Sequence, residues 1–237
     1  TKKVTAGAIT TLNSFIEEIE GGDSGVSGSG DGGGAAAGAA DVPEQVYAPF
    51  TPVSDRDGGS TAVPMVVTYV EKFTNFSADE VWAVAGEWST VHEWSGVVLS
   101  AELDDKCKQK PPASGAVRGL IFKRLPDMKF EDRLIEHNGE GRTLRFETIT
   151  TPLPMQNHTT VFTVTPIDDG GGEDDDDVAS CLFEWNVSFT VAPTAPAATG
   201  SQLVLTMRNL QLRAARGLRR EVERRRAVAT AGAAAAQ

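Results

Sequence analysis

The last part of the chain carries one long apolar stripe, in which Leu203, Met207, Leu210, Ala214, Leu218 and Val222 recur every three or four residues. That is the period of a single helix of about 25 residues with one face turned to a core. Such a face needs an apolar surface to cover, so the segment before it has to supply one. Eight arginines between Arg208 and Arg226, against Glu221 and Glu223 alone, cover the opposite face. They read as a solvated face that also offers weak contact to an acidic lipid surface or partner. Gly217 inside the helix costs about 1 kcal/mol relative to Ala and so marks a kink or a close approach to the sheet. The Ala-rich end, residues 228–237, is expected to fray.

The segment ahead of the helix reads as strands. Val66 to Phe73 is rich in β-branched and aromatic residues. Ser77-Ala78-Asp79-Glu80 is then a capping box, with Phe76 and Val81 as its hydrophobic staple, and starts a helix running to about Gly86. Trp88 to Trp94 suggests a second short helical turn. From Val97 short β runs are separated by turn chemistry at Pro111–Gly115, Pro126-Asp127, Asn138–Gly141 and Asp168–Gly172. Strands are expected near 97–103, 115–124, 128–137, 142–151, 155–166 and 178–191. The fold class is α+β: a curved seven-stranded antiparallel sheet wrapped around a long C-terminal helix, with two short helices after the first strand. A cavity between sheet and helix is where a ligand would go.

The domain spans residues 65–227. Residues 1–60 hold 12 of the 24 glycines, and 21–64 read as a flexible Gly/Ser/Ala-rich linker with too little apolar surface to fold. Ahead of it, Ile9, Leu12, Phe15, Ile16 and Ile19 place a short amphipathic helix in residues 1–20. It either docks on the main domain or closes an upstream unit. A net charge of -11 makes nucleic acid an unexpected partner. No apolar run is long enough for a transmembrane segment, and the expectation is a soluble protein. Two cysteines, Cys107 and Cys181, permit at most one bridge, and a reducing intracellular compartment is the simpler reading.

Strand parity sorts side chains into inward and outward sets. Near the end of the sheet Cys181, Phe183, Trp185, Val187 and Phe189 share the inward face. In 128–137 the inward set is Phe130, Asp132 and Leu134, which points a carboxylate at the core. Parity leaves 115–124 ambiguous, and the need of Asp132 for a counter-charge turns Arg118 inward with Leu120. In 155–166 the set His158, Thr160, Phe162 and Val164 adds an imidazole.

The motifs Ser77–Trp82 with Trp94, Gly115–Arg118, Asp132-Arg133-Leu134, Thr151–His158 and Phe183-Glu184-Trp185, taken in order, resemble the polyketide cyclase/dehydrase branch of the START-like, birch-allergen-like helix-grip superfamily (SRPBCC). The resemblance covers residues 66–227 and implies a deep pocket for an aromatic or otherwise apolar small molecule. Plant lachrymatory-factor synthases are the most similar members in chemistry. They place an Arg, a Glu and a Tyr on three adjacent strands, at positions matching Arg118, Asp132 and His158, so this chain departs at two of the three.

The catalytic candidates are therefore Arg118, to hold a carbonyl or oxyanion, Asp132, to move a proton, and His158, as a second acid/base or an orienting group. The strands are expected to line the pocket with Leu120, Phe130, Phe146, Thr160, Phe183 and Trp185, and the helices with Trp94, Met207 and Leu210. Neither metal nor cofactor is expected, since the three histidines offer no ligand spacing. Three readings stand: catalysis of cyclisation, dehydration or isomerisation, a lipid or metabolite carrier or sensor without turnover, and an interaction domain whose cavity is filled. The serine-protease-like Gly22-Asp23-Ser24-Gly25 sits in low-complexity sequence and is discounted, and the acids from Asp168 to Asp177 read as a solvated hairpin tip rather than a calcium loop.

Overall fold

The computed structural model describes residues 64–123, 125–167, 179–196 and 198–235. The expected N-terminal helix, the linker as far as residue 63 and the acidic run at 168–177 lie outside the described residues. Seven strands, β1 (Pro64–Phe73), β2 (Val98–Leu103), β3 (Val117–Phe122), β4 (Leu125–Asn138), β5 (Thr143–Thr150), β6 (Met155–Ile167) and β7 (Ser180–Val191), form one antiparallel sheet. Its order is β1-β7-β6-β5-β4-β3-β2. Between β1 and β2 come α1 (Ala78–Ala85), a 3₁₀ turn over Trp88–Thr90 and α2 (Val91–Trp94), and a further 3₁₀ turn, Asp105–Lys108, follows β2. The long helix α3 (Thr199–Ala235) leaves the sheet after β7. This is the expected curved sheet gripping a C-terminal helix.

The capping box forms as its spacing requires: the Glu80 amide donates to Ser77 Oγ at 3.2 Å and the Ser77 amide to Glu80 Oε2 at 2.8 Å. Alternation also holds. On β7 Cys181, Phe183, Trp185, Val187 and Phe189 are all buried. A chain of edge-to-face and tilted aromatic contacts links Phe73, Phe183, Phe162, Phe146 and Trp88 beneath the helix, with centroids 5.0 to 6.5 Å apart. Cys107 and Cys181 are both free and buried, so no bridge joins them.

The helix differs from expectation in two ways. It spans 37 residues, to Ala235, rather than about 25, because alanine is the residue that loses least on entering a helix. Its buried stripe also runs through Leu203, Met207, Gln211, Ala214, Leu218 and Val222, with Gln211 rather than Leu210 at the centre. Gly217 allows a close approach, to α2 rather than to the sheet: a Cβ there would sit 1.8 Å from the Trp94 carbonyl oxygen.

Many of the arginines opposite the stripe work inside the chain. Arg226 bonds both carboxylate oxygens of Glu80, Arg225 reaches Glu87 and the Ala83 carbonyl, and Arg219 pairs with the buried Glu71 at 2.7 Å. Together they fasten the C-terminal half of α3 to α1 and β1. No described helix is long and apolar enough to cross a membrane.

Two outcomes follow for stability. Gly217→Ala is expected to lose about 1–3 kcal/mol in urea denaturation despite its better helix propensity, because the methyl meets a backbone carbonyl. Gly232→Ala, whose Cβ meets nothing within 4 Å, is expected to be neutral or to gain up to about 1 kcal/mol. The second outcome concerns the clamp. The bonds from Arg226 hold the Glu80 carboxyl down to about 2 from an ordinary 4.5. A depressed carboxyl contributes stability that is whole above the ordinary value and is lost as pH falls through the folded one. The stability gap between wild type and Glu80→Gln, read by denaturation across pH, should therefore shrink as pH falls from 4.5 through about 2.

Candidate functional site

Between the N-terminal half of α3 and the sheet lies a cavity of about 90 Å³. That is below the roughly 300–1,000 Å³ of sites for drug-sized ligands, so a compact molecule is what fits without the wall moving. The wall is mainly apolar and aromatic, supplied by β2 to β7, α2 and α3, and its strand-borne polar groups stand largely in one row.

Cross-strand pairing builds that row. Arg118 on β3 lies directly opposite Asp132 on β4, and Asp132 lies opposite Thr148 on β5. Arg118 donates to Asp132 Oδ2 from Nε at 3.3 Å and from Nη2 at 3.1 Å. Its Nη1 donates to the Trp88 carbonyl at 2.8 Å, while the Trp88 ring stacks 3.5 Å from the guanidinium carbon. Three of the five N–H bonds of the guanidinium are thus used, leaving one on each Nη. Arg118 and Asp132 are only 3% and 4% exposed. Burial pulls the Arg118 pKa down, and the charge of Asp132 opposes the shift.

Thr148 extends the row, its hydroxyl donating to Asp132 Oδ1 at 2.7 Å. Thr148 Oγ1 is also 2.7 Å from His158 Nδ1. With the Thr148 proton committed to Asp132, Nδ1 carries hydrogen and donates to Oγ1, which leaves the lone pair of the neutral imidazole on Nε2. Burial lowers the His158 pKa below its usual value, and Asp132 counters part of that. A β-bulge aims the imidazole: the β6–β7 register shifts between Gln156 and Thr159, and Asn157 takes a left-handed φ of 52°.

The candidate residues are thus brought together, with two differences. Arg118, Asp132 and His158 do not occupy three adjacent strands, because β5 runs between β4 and β6. Thr148 fills the gap. Phe183 does not reach the cavity: it is fully buried against Phe73, Phe162 and Trp185 in the aromatic chain beside it. Trp94, Leu120, Phe130, Phe146, Thr160, Trp185, Met207 and Leu210 do line it. Sequence reasoning missed Thr148, which shares the parity of Phe146 two residues earlier. It also missed Gln211, a polar residue at a stripe position, and the use of Trp88 as a carbonyl acceptor, for which sequence carries no signal.

A sheet that grips a helix over an apolar cavity with a buried polar row defines a START-like helix-grip protein. The chain belongs to the family described as polyketide cyclase / dehydrase and lipid transport, which residues 65–223 match. Among solved structures, it is similar to the Zhui aromatase/cyclase from Streptomyces sp. R1128, at 12% identity and a TM-score of 0.54, over 68% of this chain and 95% of that one. A START superfamily protein from Mycobacterium smegmatis matches at 11% identity and 0.52, over 67% and 97%. A protein from Thermobifida fusca matches at 22% identity and 0.51, over 66% and 93%. At these identities the likeness is one of fold. No curated protein matches the sequence.

The buried pair yields a direct test. Asp132→Asn leaves the guanidinium without its counter-charge and should cost about 3–5 kcal/mol in denaturant unfolding. The double variant Arg118→Met/Asp132→Leu, which removes both charges, should recover most of that loss.

Proposed function

We propose that this protein binds a compact apolar or aromatic molecule bearing a carbonyl group in the cavity, and moves a proton on it in an isomerisation, dehydration or cyclisation. The observation that carries this reading is the hydrogen-bonded row Arg118, Asp132, Thr148, His158, which ends on an imidazole at the cavity wall. The two unused N–H bonds of Arg118 suit a carbonyl oxygen that becomes an oxyanion, where stabilisation in a poorly solvated site is large. His158 Nε2 takes a proton from the carbon next to that carbonyl. The C–H electron pair becomes the enolate double bond, and the carbonyl electrons move to the oxygen held by Arg118. The proton then returns to a different carbon in isomerisation, or to a departing hydroxyl in dehydration.

In this scheme Asp132 has no direct role in the transfer, because its oxygens already accept from Arg118 and Thr148. It instead holds Thr148, which fixes the His158 tautomer, and its charge favours the imidazolium once formed. The family description also includes lipid transport, and the apolar remainder of the wall suits a second reading, carriage without turnover.

Native mass spectrometry of protein purified from its own host, before and after mild organic extraction, would identify a bound compound. Incubating that compound with wild type and with His158→Ala separates the readings. Conversion by wild type, reduced about 10²–10⁴-fold in the variant, is the expected result; retention of the compound unchanged by both proteins would establish carriage. Arg118→Ala is expected to abolish turnover or weaken binding. Turnover should hold at neutral pH and fall on the acid side below the ordinary histidine value of 6.5, since only the neutral imidazole accepts a proton. In Asp132→Asn that limb should move to still lower pH, because the charge that raises the imidazole pKa is gone.

A further inference from the structure

The cavity holds a second polar feature, carried by α3 and anchored at the β1–β7 end of the sheet, away from Arg118 on β3. Gln211, 1% exposed, sits on the buried stripe of α3 and lines the cavity. Its Nε2 donates to the Val67 carbonyl of β1 at 3.2 Å and to the Trp185 carbonyl of β7 at 3.0 Å. Both partners are acceptors only, so the amide has one orientation: the NH₂ faces the strands and Oε1 faces away from them. That oxygen is buried and has no hydrogen-bond partner. Trp94 and Trp185, also in the wall, carry indole N–H groups that are likewise buried and unpaired.

A buried acceptor with nothing to accept costs about 1–3 kcal/mol. A chain whose stripe could have taken leucine here retains that cost. The two backbone bonds hold the amide still, so the oxygen presents a fixed acceptor to whatever occupies the cavity. We propose that Gln211 Oε1 accepts a hydrogen bond from a hydroxyl or N–H group of the ligand, and that the protein selects aromatic molecules carrying such a donor, phenols above all. A phenolic hydroxyl both donates and accepts, and so can satisfy Gln211 while taking a bond from an indole N–H. This inference rests on the cavity being a ligand site, but not on turnover there.

Phenol, toluene and anisole separate the possibilities, since toluene keeps the shape without the hydroxyl and anisole keeps the oxygen without the donor. Dissociation constants are measured by ligand-detected NMR for wild type and for Gln211→Met, with thermal denaturation to establish that the variant folds. Wild type should prefer phenol over toluene by about tenfold, and Gln211→Met should remove that preference while keeping toluene binding within about twofold. Anisole should show none of the preference in wild type, a result that needs no variant. A preference unchanged in Gln211→Met, or anisole binding wild type as tightly as phenol, would overturn the role of Gln211 and leave the cavity as a ligand site. Failure of all three probes to bind wild type would overturn the cavity reading and this inference together.

Discussion

Two opposite charges lie under the helix, and the arrangement of the sheet follows from keeping them together. Taking a guanidinium and a carboxylate out of water costs several kcal/mol each, and only close pairing with further hydrogen bonds offsets it. Direct pairing of Arg118 with Asp132 and of Asp132 with Thr148 meets that demand across three strands. The Trp88 carbonyl and ring complete the shell around the guanidinium, so the 3₁₀ turn after α1 is tied to β3 as well. A one-residue slip of β4 would turn Asp132 out to solvent and leave Arg118 buried without a counter-charge. Register is therefore set by electrostatics as much as by apolar alternation.

The same requirement explains what could be read from the sequence. Alternation alone left β3 with two possible faces, and it was the isolated carboxylate of Asp132 that decided for Arg118 inward. Elements whose cause is local, such as the Ser77–Glu80 capping box and the β7 alternation, were legible for the same reason: the chemistry sits within a few residues. Strand adjacency was not. That β5 separates Asp132 from His158 depends on how the meander folds back, and without it the need for a bridging hydroxyl on Thr148 cannot be stated. Phe183 has the parity of a wall residue, yet the curvature of the sheet buries it beside the cavity in the aromatic chain. Gln211 was visible as a polar residue four positions after Met207, but its use appears only once the Val67 and Trp185 carbonyls are placed beneath it.

The division of labour along α3 explains how an apolar face can cover a sheet and still leave a cavity. The helix residues that line the space are Met207, Leu210, Gln211 and Ala214. Further contacts that fasten the helix lie beyond them: Gly217 against the Trp94 carbonyl, then Arg219, Arg225 and Arg226 on acids of β1, α1 and the turn after α1. The close approach at Gly217 fixes one end of the helix near α2, and the buried Gln211 amide bridges β1 and β7 at the other side of the space. Any widening for a larger ligand costs least in the first turns, where Leu203 and Met207 shift apolar contacts. A rigid polar row on the strands facing a helix held from its far end keeps the reacting groups in place while the covering wall adapts, which is what either proton transfer or selective binding in this cavity would require.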